Sequence, residues 1–170
     1  MTATVSNGRG IFMLMYAAEM DAYEAGEPTT YPTPTSAWTS STAYFNACKS
    51  TVFSDVSAAF FAAPEIPPAR EWPMKSENNA WALNASFTNA AEAPSDVPFL
   101  FTRNLRFRPR PTGGVEAYLV DAPPFGSKGC VIVTFGGATK RLFPRDLHLA
   151  VDEAKPEFVQ HVLQPEGTER

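Results

Sequence analysis

A chain of 170 residues, 44% of them hydrophobic and 19% charged, is long enough to bury its own core and lies outside the composition of disordered chains. Fourteen basic against eighteen acidic side chains leave a net charge of −4, the wrong sign for a nucleic-acid surface except at one local cluster, Arg103, Arg106, Arg108 and Arg110. Sixteen prolines against ten glycines predict long, stiffened connections and less helix than average, and no run approaches the roughly twenty apolar residues of a bilayer-spanning helix.

In chain order, Asn7 to Ala25 predicts a helix. Ile11, Leu14, Met15, Ala18 and Ala22 recur at three- and four-residue spacing and form an apolar stripe, with Ser6 or Asn7 as cap and Gly26 and Pro28 as stop. Thr29 to Ala37 is a Thr/Pro loop. A short helix is expected over Thr42 to Lys49, capped by Ser40 or Ser41, with Tyr44, Phe45 and Cys48 inward. Val56 to Ala63 is either a short helix or an irregular apolar segment, ended by Pro64, Pro67 and Pro68.

From Asn79 the period falls to two. Strands are expected at Ala80 to Phe87, Val97 to Thr102 and Gly113 to Val120. Val131 to Phe135 and Ala138 to Leu142 read as a hairpin joined by a two-residue Gly136-Gly137 turn. His148, between Leu147 and Leu149, reads as an outward residue of an extended stretch. The expected architecture is α+β: one domain over 1–170, with a helix at 6–26, a loop-rich middle at 27–78, an antiparallel sheet at 79–150 carrying the helix, and a flexible tail at 156–170.

Residues that could carry chemistry do not gather into a set, and the expectation is no catalytic, cofactor or metal residue. Glu19, Asp21 and Glu24 read as a solvated helix face. Cys48 with His148 and Asp146 would make a thiol hydrolase, but nothing around Cys48 resembles a nucleophile turn. Cys48 and Cys130 are either one disulfide or two buried thiols. Asp96, Asp121 and Asp146 lack the spacing of a calcium loop. Gly113-Gly114 and Gly136-Gly137 are turn glycines, since neither lies in a strand–glycine–helix order. The arginine cluster either receives an acidic partner or is a solvated loop beside a strand.

Three segments together carry a resemblance: Ser6-Asn7-Gly8-Arg9-Gly10-Ile11-Phe12-Met13-Leu14-Met15-Tyr16-Ala17-Ala18-Glu19, then Asp96-Val97-Pro98-Phe99-Leu100-Phe101-Thr102-Arg103-Asn104-Leu105, then Gly129-Cys130-Val131-Ile132-Val133-Thr134-Phe135-Gly136-Gly137. With Asn78-Asn79-Ala80-Trp81, the set resembles the major-pseudopilin-type, type IV pilin-like proteins of type II secretion systems, in the diverged form of Verrucomicrobia and Lentisphaerae. The resemblance implies a structural subunit of a filament in the cell envelope, partnered by other pseudopilin subunits and by no nucleic acid. It further implies an apolar segment upstream of Ser6 that anchors the head in the inner membrane with the head in the periplasm. Two parts of the family pattern are missing: the prepilin-peptidase cleavage motif with its following glutamate, and the late calcium loop. A second reading is a periplasmic or extracellular module that binds glycan or peptide through Tyr31, Trp38 and Trp72.

Overall fold

The computed structural model describes residues 2–88, 93–111, 113–151 and 159–166. The first helix, α1, spans Thr2–Ala25 and so begins well before the start at Asn7 that the stripe predicts. Its buried residues Thr4, Gly8, Ile11, Met15 and Ala22 fall on one face at helical spacing. Asn7 is therefore inside the helix and not its cap; its side-chain amide donates to Phe60 O at 3.1 Å. The C-terminus closes as expected at Gly26, which takes φ +71°. Gly26 N–H donates to Tyr23 O at 3.1 Å and Glu27 N–H to Ala22 O at 2.8 Å, the paired bonds of a Schellman stop.

The second helix, α2, spans Ser41–Ala47, with Ser40 as the cap. Ser40 Oγ accepts from Ala43 N–H at 3.1 Å, while Ser41 Oγ donates instead to Trp81 O at 2.7 Å. Cys48–Ser50 and Ala58–Phe61 are short 3-10 turns, which settles the ambiguous 56–63 segment. This proline-rich stretch is held by rings and not by a ladder. Phe61 lies 4.7 Å from Phe45 and 5.2 Å from Phe53, and Trp72 Nε1 donates to Val56 O at 2.9 Å.

Seven strands follow among the described residues: β1 Trp81–Asn84, β2 Pro98–Thr102, β3 Leu105–Pro109, β4 Val115–Leu119, β5 Cys130–Thr134, β6 Thr139–Leu142 and β7 Val162–Leu163. Five form one antiparallel sheet in the order β6-β5-β2-β1-β7, with α1 packed against β5, β6 and β2. The fold is thus α+β with the N-terminal helix on an antiparallel sheet. β1 is shorter than the 80–87 run suggests because Asn84 ends it: its amide donates to Pro98 O at 3.0 Å and its carbonyl accepts Ser86 N–H at 3.0 Å.

Three sequence expectations are corrected. The 113–120 strand does not join the main sheet; β4 pairs with β3, from Leu105↔Leu119 to Pro109↔Val115, as a separate ribbon. The β5–β6 connection is not a two-residue primed turn. Gly137 N–H donates to Thr134 O and Thr134 N–H to Ala138 O, both at 2.9 Å, and only Gly137 of the pair has positive φ, +80°. That is the three-residue hairpin with a left-handed glycine in its last place. Finally, the end of the chain is not all loose tail. Val162 and Leu163 pair with Asn84 and Leu83, and Ser41 N–H donates to Gln164 O at 3.0 Å. The rest of the expected 156–170 tail lies outside the described residues.

The main sheet is covered on both faces. Trp81, Leu83, Val131 and Val133 join Ile11, Phe12 and Met15 in one core layer, while Ala82, Phe101, Cys130 and Ile132 join Leu105, Val115, Ala117 and Ala150 in the other. Two covered faces explain why β2 and β5 are buried at every residue and show no polar alternation. Helix and sheet approach closely: a Cβ on Gly8 would lie 2.5 Å from Trp81 Cη2. Glycine at that place sets the interlayer distance.

Candidate functional site

The arginine cluster divides into structural and exposed members, and it is no solvated loop. Arg103 is a clamp: its Nη1 donates to Ser76 O at 3.1 Å and Asn79 O at 3.2 Å, and its Nε to Pro123 O at 3.3 Å. Arg106 is only 8% exposed, and its Nη1 donates to the carbonyls of Arg103 and Leu105. Burial draws both guanidiniums below the usual arginine range. Arg108 pairs with Glu116 across the ribbon at 2.9 Å and lies over Tyr118, in the open. Arg110 is exposed. The missed signal was the alternation Leu105-Arg106-Phe107-Arg108, which is a strand pattern with arginine in the polar places.

The cysteines are free and belong to different core layers: Cys48 packs against the layer under α1, and Cys130 lies in the layer under the ribbon. The sheet between them excludes a disulfide without rearrangement. Burial pushes the Cys130 thiol up to about 12 and raises Cys48 as well, the latter offset in part by a hydrogen bond with Tyr44. The thiolate is the reactive form, so native protein at pH 8 is expected to leave Cys130 unmodified by iodoacetamide and to alkylate Cys48 slowly. Peptide mass mapping with and without guanidinium checks this; a recovered Cys48–Cys130 disulfide, or rapid labelling of Cys130, would contradict it.

Cys48 does not meet His148 and Asp146. Pro144–Ala150 is a 3-10 helix, not an extended stretch: Pro144 starts it, where the N–H that proline lacks would have had no intrahelical acceptor. It contacts β4 and β6. His148 points outward as expected and its Nδ1 lies 3.2 Å from Arg145 O, while Asp146 lies 3.6 Å from Arg145. Asp96 and Asp121 are exposed at separate places, and no group of three metal-ligating residues forms among the described residues. The acids on α1 are also corrected in part. Glu19 is no idle solvated residue: it accepts from Thr29 Oγ1 at 2.7 Å, Thr30 N–H at 2.7 Å and Thr30 Oγ1 at 2.8 Å, fixing the loop to the helix. Asp21 and Glu24 are exposed.

Of the three aromatics of the binding-module reading, Tyr31 is buried against Phe99 and Trp72 is half-buried against Phe53 and Phe61. Only Trp38 is exposed.

What remains is the outer face of α1. Met13, Tyr16 and Tyr23 are 53%, 45% and 77% exposed, with half-buried Met20 between the tyrosines. Positions 13, 16, 20 and 23 follow the three- and four-residue rhythm of one helical face, about 120° around the axis from the face that meets the sheet. Tyr16 stacks on Phe12 at 6.0 Å, which ties the outer stripe to the core. Half of the six large exposed apolar side chains among the described residues therefore sit on this one stripe. Arg9 is exposed at its start, Asp21 and Glu24 near its end. The inward stripe was legible in the sequence; the outward one was not, because a helix apolar on two sides gives no single clear period. Among the described residues no helix is long and apolar enough to cross a membrane. No family model, curated protein or solved structure matches the chain.

Proposed function

We propose that this protein is a structural subunit of the pseudopilin type, acting by assembly with other subunits and not by catalysis, at the cell envelope with its head in the periplasm. The observation that supports the reading is the two-sided helix: one face of α1 is spent on the sheet, and the other offers Met13, Tyr16 and Tyr23 to a neighbour. Packing such stripes together removes apolar area from water at roughly 25 cal/mol per Å². Arg9 at one end and Asp21 and Glu24 at the other are complementary for parallel helices offset along their axes, the arrangement that propagates as a filament.

The test is photo-crosslinking in cells that carry the native locus, with benzophenone placed at Tyr16. The expected result is a ladder at multiples of the subunit mass. Met13→Glu, Tyr16→Glu and Tyr23→Glu together are expected to abolish the ladder while the fold persists, since exposed substitutions usually change stability by less than about 0.5 kcal/mol each. A crosslinker that captures no second subunit overturns the reading.

A further inference from the structure

A cavity of about 660 Å³ opens beside β7, between that strand, the 33–39 loop and β3. Its size lies within the roughly 300–1,000 Å³ of ligand-holding clefts. Trp38, Arg106, His161, Gln164 and Glu166 are in its lining. Arg106 is the one arginine or lysine there, and it is an unusual group: 8% exposed, with no carboxylate within ion-pair distance among the described residues. Both of its bonds within the fold come from Nη1, so Nε and Nη2 have no partner among those residues. A largely buried guanidinium without a counter-ion among the described residues is costly, and it favours an anion that can reach its remaining donors. The Nε–Nη2 edge is the edge that matches the two oxygens of a carboxylate.

Two further features point to what carries that carboxylate. Gln164 Oε1 is buried with no donor among the described residues, so the cleft presents an unfilled acceptor suited to a peptide N–H. β7 is the last strand of its sheet: β1 pairs with one side, and on the other Gln164 O accepts from Ser41 N–H while no strand pairs there among the described residues. Trp38, 37% exposed and held edge-on by Tyr44 at 5.8 Å, adds an apolar surface for one side chain. Glu166 is the one carboxylate of the lining among the described residues, and its Oε1 accepts from Ser40 Oγ at 3.2 Å. It disfavours an anion at its own end of the cleft, which gives the ligand a direction.

We propose that this cleft binds an extended peptide bearing a carboxylate, with Arg106 clamping the carboxylate and Gln164 and the β7 edge taking the peptide backbone. The mode is strand addition with an anion anchor, and it is independent of the stripe on α1.

The experiment titrates the full ¹⁵N-labelled chain with four probes. These are acetyl-Val-Thr-Val-Thr-Val with a free C-terminal carboxylate, the same peptide with a C-terminal amide, acetyl-Val-Thr-Glu-Thr-Val amide, and glucuronic acid. Amide shifts at Gln160, Val162 and Gln164 and at the Trp38 indole are expected with at least one carboxylate peptide. The first against the third probe tells whether the carboxylate is a terminus or a side chain. The neutral peptide is expected to bind at least tenfold more weakly, and Arg106→Gln to lose a similar factor for the charged one. Gln164→Ala is expected to weaken both peptides alike. If Arg106→Gln does not fold, the charged-against-neutral comparison on the unaltered chain decides alone. Equal binding of neutral and charged peptides, no shift at millimolar carboxylate peptide, or binding of glucuronic acid alone each overturns the proposal. The triple glutamate variant on α1 is expected to leave the titration unchanged, so failure here and failure of the assembly reading are told apart.

Discussion

Replacing Trp81 by alanine is expected to destabilise the protein by about 3–5 kcal/mol, the range for removing a large aromatic from a packed core. Trp81 is fully buried at the start of β1, and its indole is the surface against which α1 rests at Gly8. Its backbone is held as firmly as its ring. Trp81 N–H donates to Asn79 Oδ1 at 2.9 Å, and Trp81 O accepts from Ser41 Oγ at 2.7 Å. The Asn79 amide in turn donates to Ser41 Oγ and Thr42 Oγ1, both at 3.1 Å. These backbone bonds survive truncation, so the strand stays in place and the space left by the indole cannot fully collapse. Phenylalanine is the informative control. Trp81 Nε1 is buried with no partner among the described residues, a group that costs about 1–3 kcal/mol to leave unmade. Trp81→Phe removes that orphan along with part of the ring, and is expected to cost less than half as much as alanine. Urea unfolding with both variants checks this. An alanine variant within about 1 kcal/mol of the parent would mean that α1 does not lean on this ring.

Arg103→Met is expected to cost about 2–4 kcal/mol, although it keeps the aliphatic stem and removes a charge that has no surface partner. The loss arises from carbonyls. Ser76 O, Asn79 O and Pro123 O all accept from this one guanidinium, which joins the end of the proline-rich segment to the loop after β4. Removing it leaves three oxygens in a half-buried place with only partial access to water. Lysine, with one ammonium in place of a planar fork, is expected to recover a minor part. The readout is the midpoint of denaturant unfolding at unchanged slope. A methionine variant as stable as the parent would return Arg103 to the role of a solvated charge. Arg108 serves as the comparison, since its partner Glu116 and its own side chain stand in solvent; Arg108→Met is expected to be nearly silent.

The two substitutions also mark what could be read before the fold was in hand. The inward stripe of α1, its stop at Gly26 and the β5–β6 hairpin were legible because each is encoded within a few residues. So was the cap of α2, down to a choice between two serines. β3 carried a readable alternation that its arginines disguised. β7 carried almost none, since a strand of two residues has no period. Its place depends on β1 offering an edge that distant residues happen to reach.

The candidate surfaces divide the same way. Met13, Tyr16 and Tyr23 could have been spaced out along a helical wheel, but only the sheet determines which side of α1 is spent and which is left over. Arg106 is indistinguishable in sequence from Arg108, two places further along the same strand face. One is buried in the lining of the cleft that the 33–39 loop and β7 share, and the other is paired with Glu116 in the open.

By itself, then, the sequence determined the α+β class, the order of one long helix before a set of strands, and the turn chemistry that ends them. These follow from local backbone preference and from the period of apolar residues, which neighbouring side chains share. Only the tertiary structure decided that the sheet is covered twice, that β4 pairs with β3, that Cys48 and Cys130 lie on opposite sides of it, and that one arginine is buried beside a cleft. Each of those outcomes depends on which surface comes to cover another, a contact between residues far apart in the chain that no local pattern encodes.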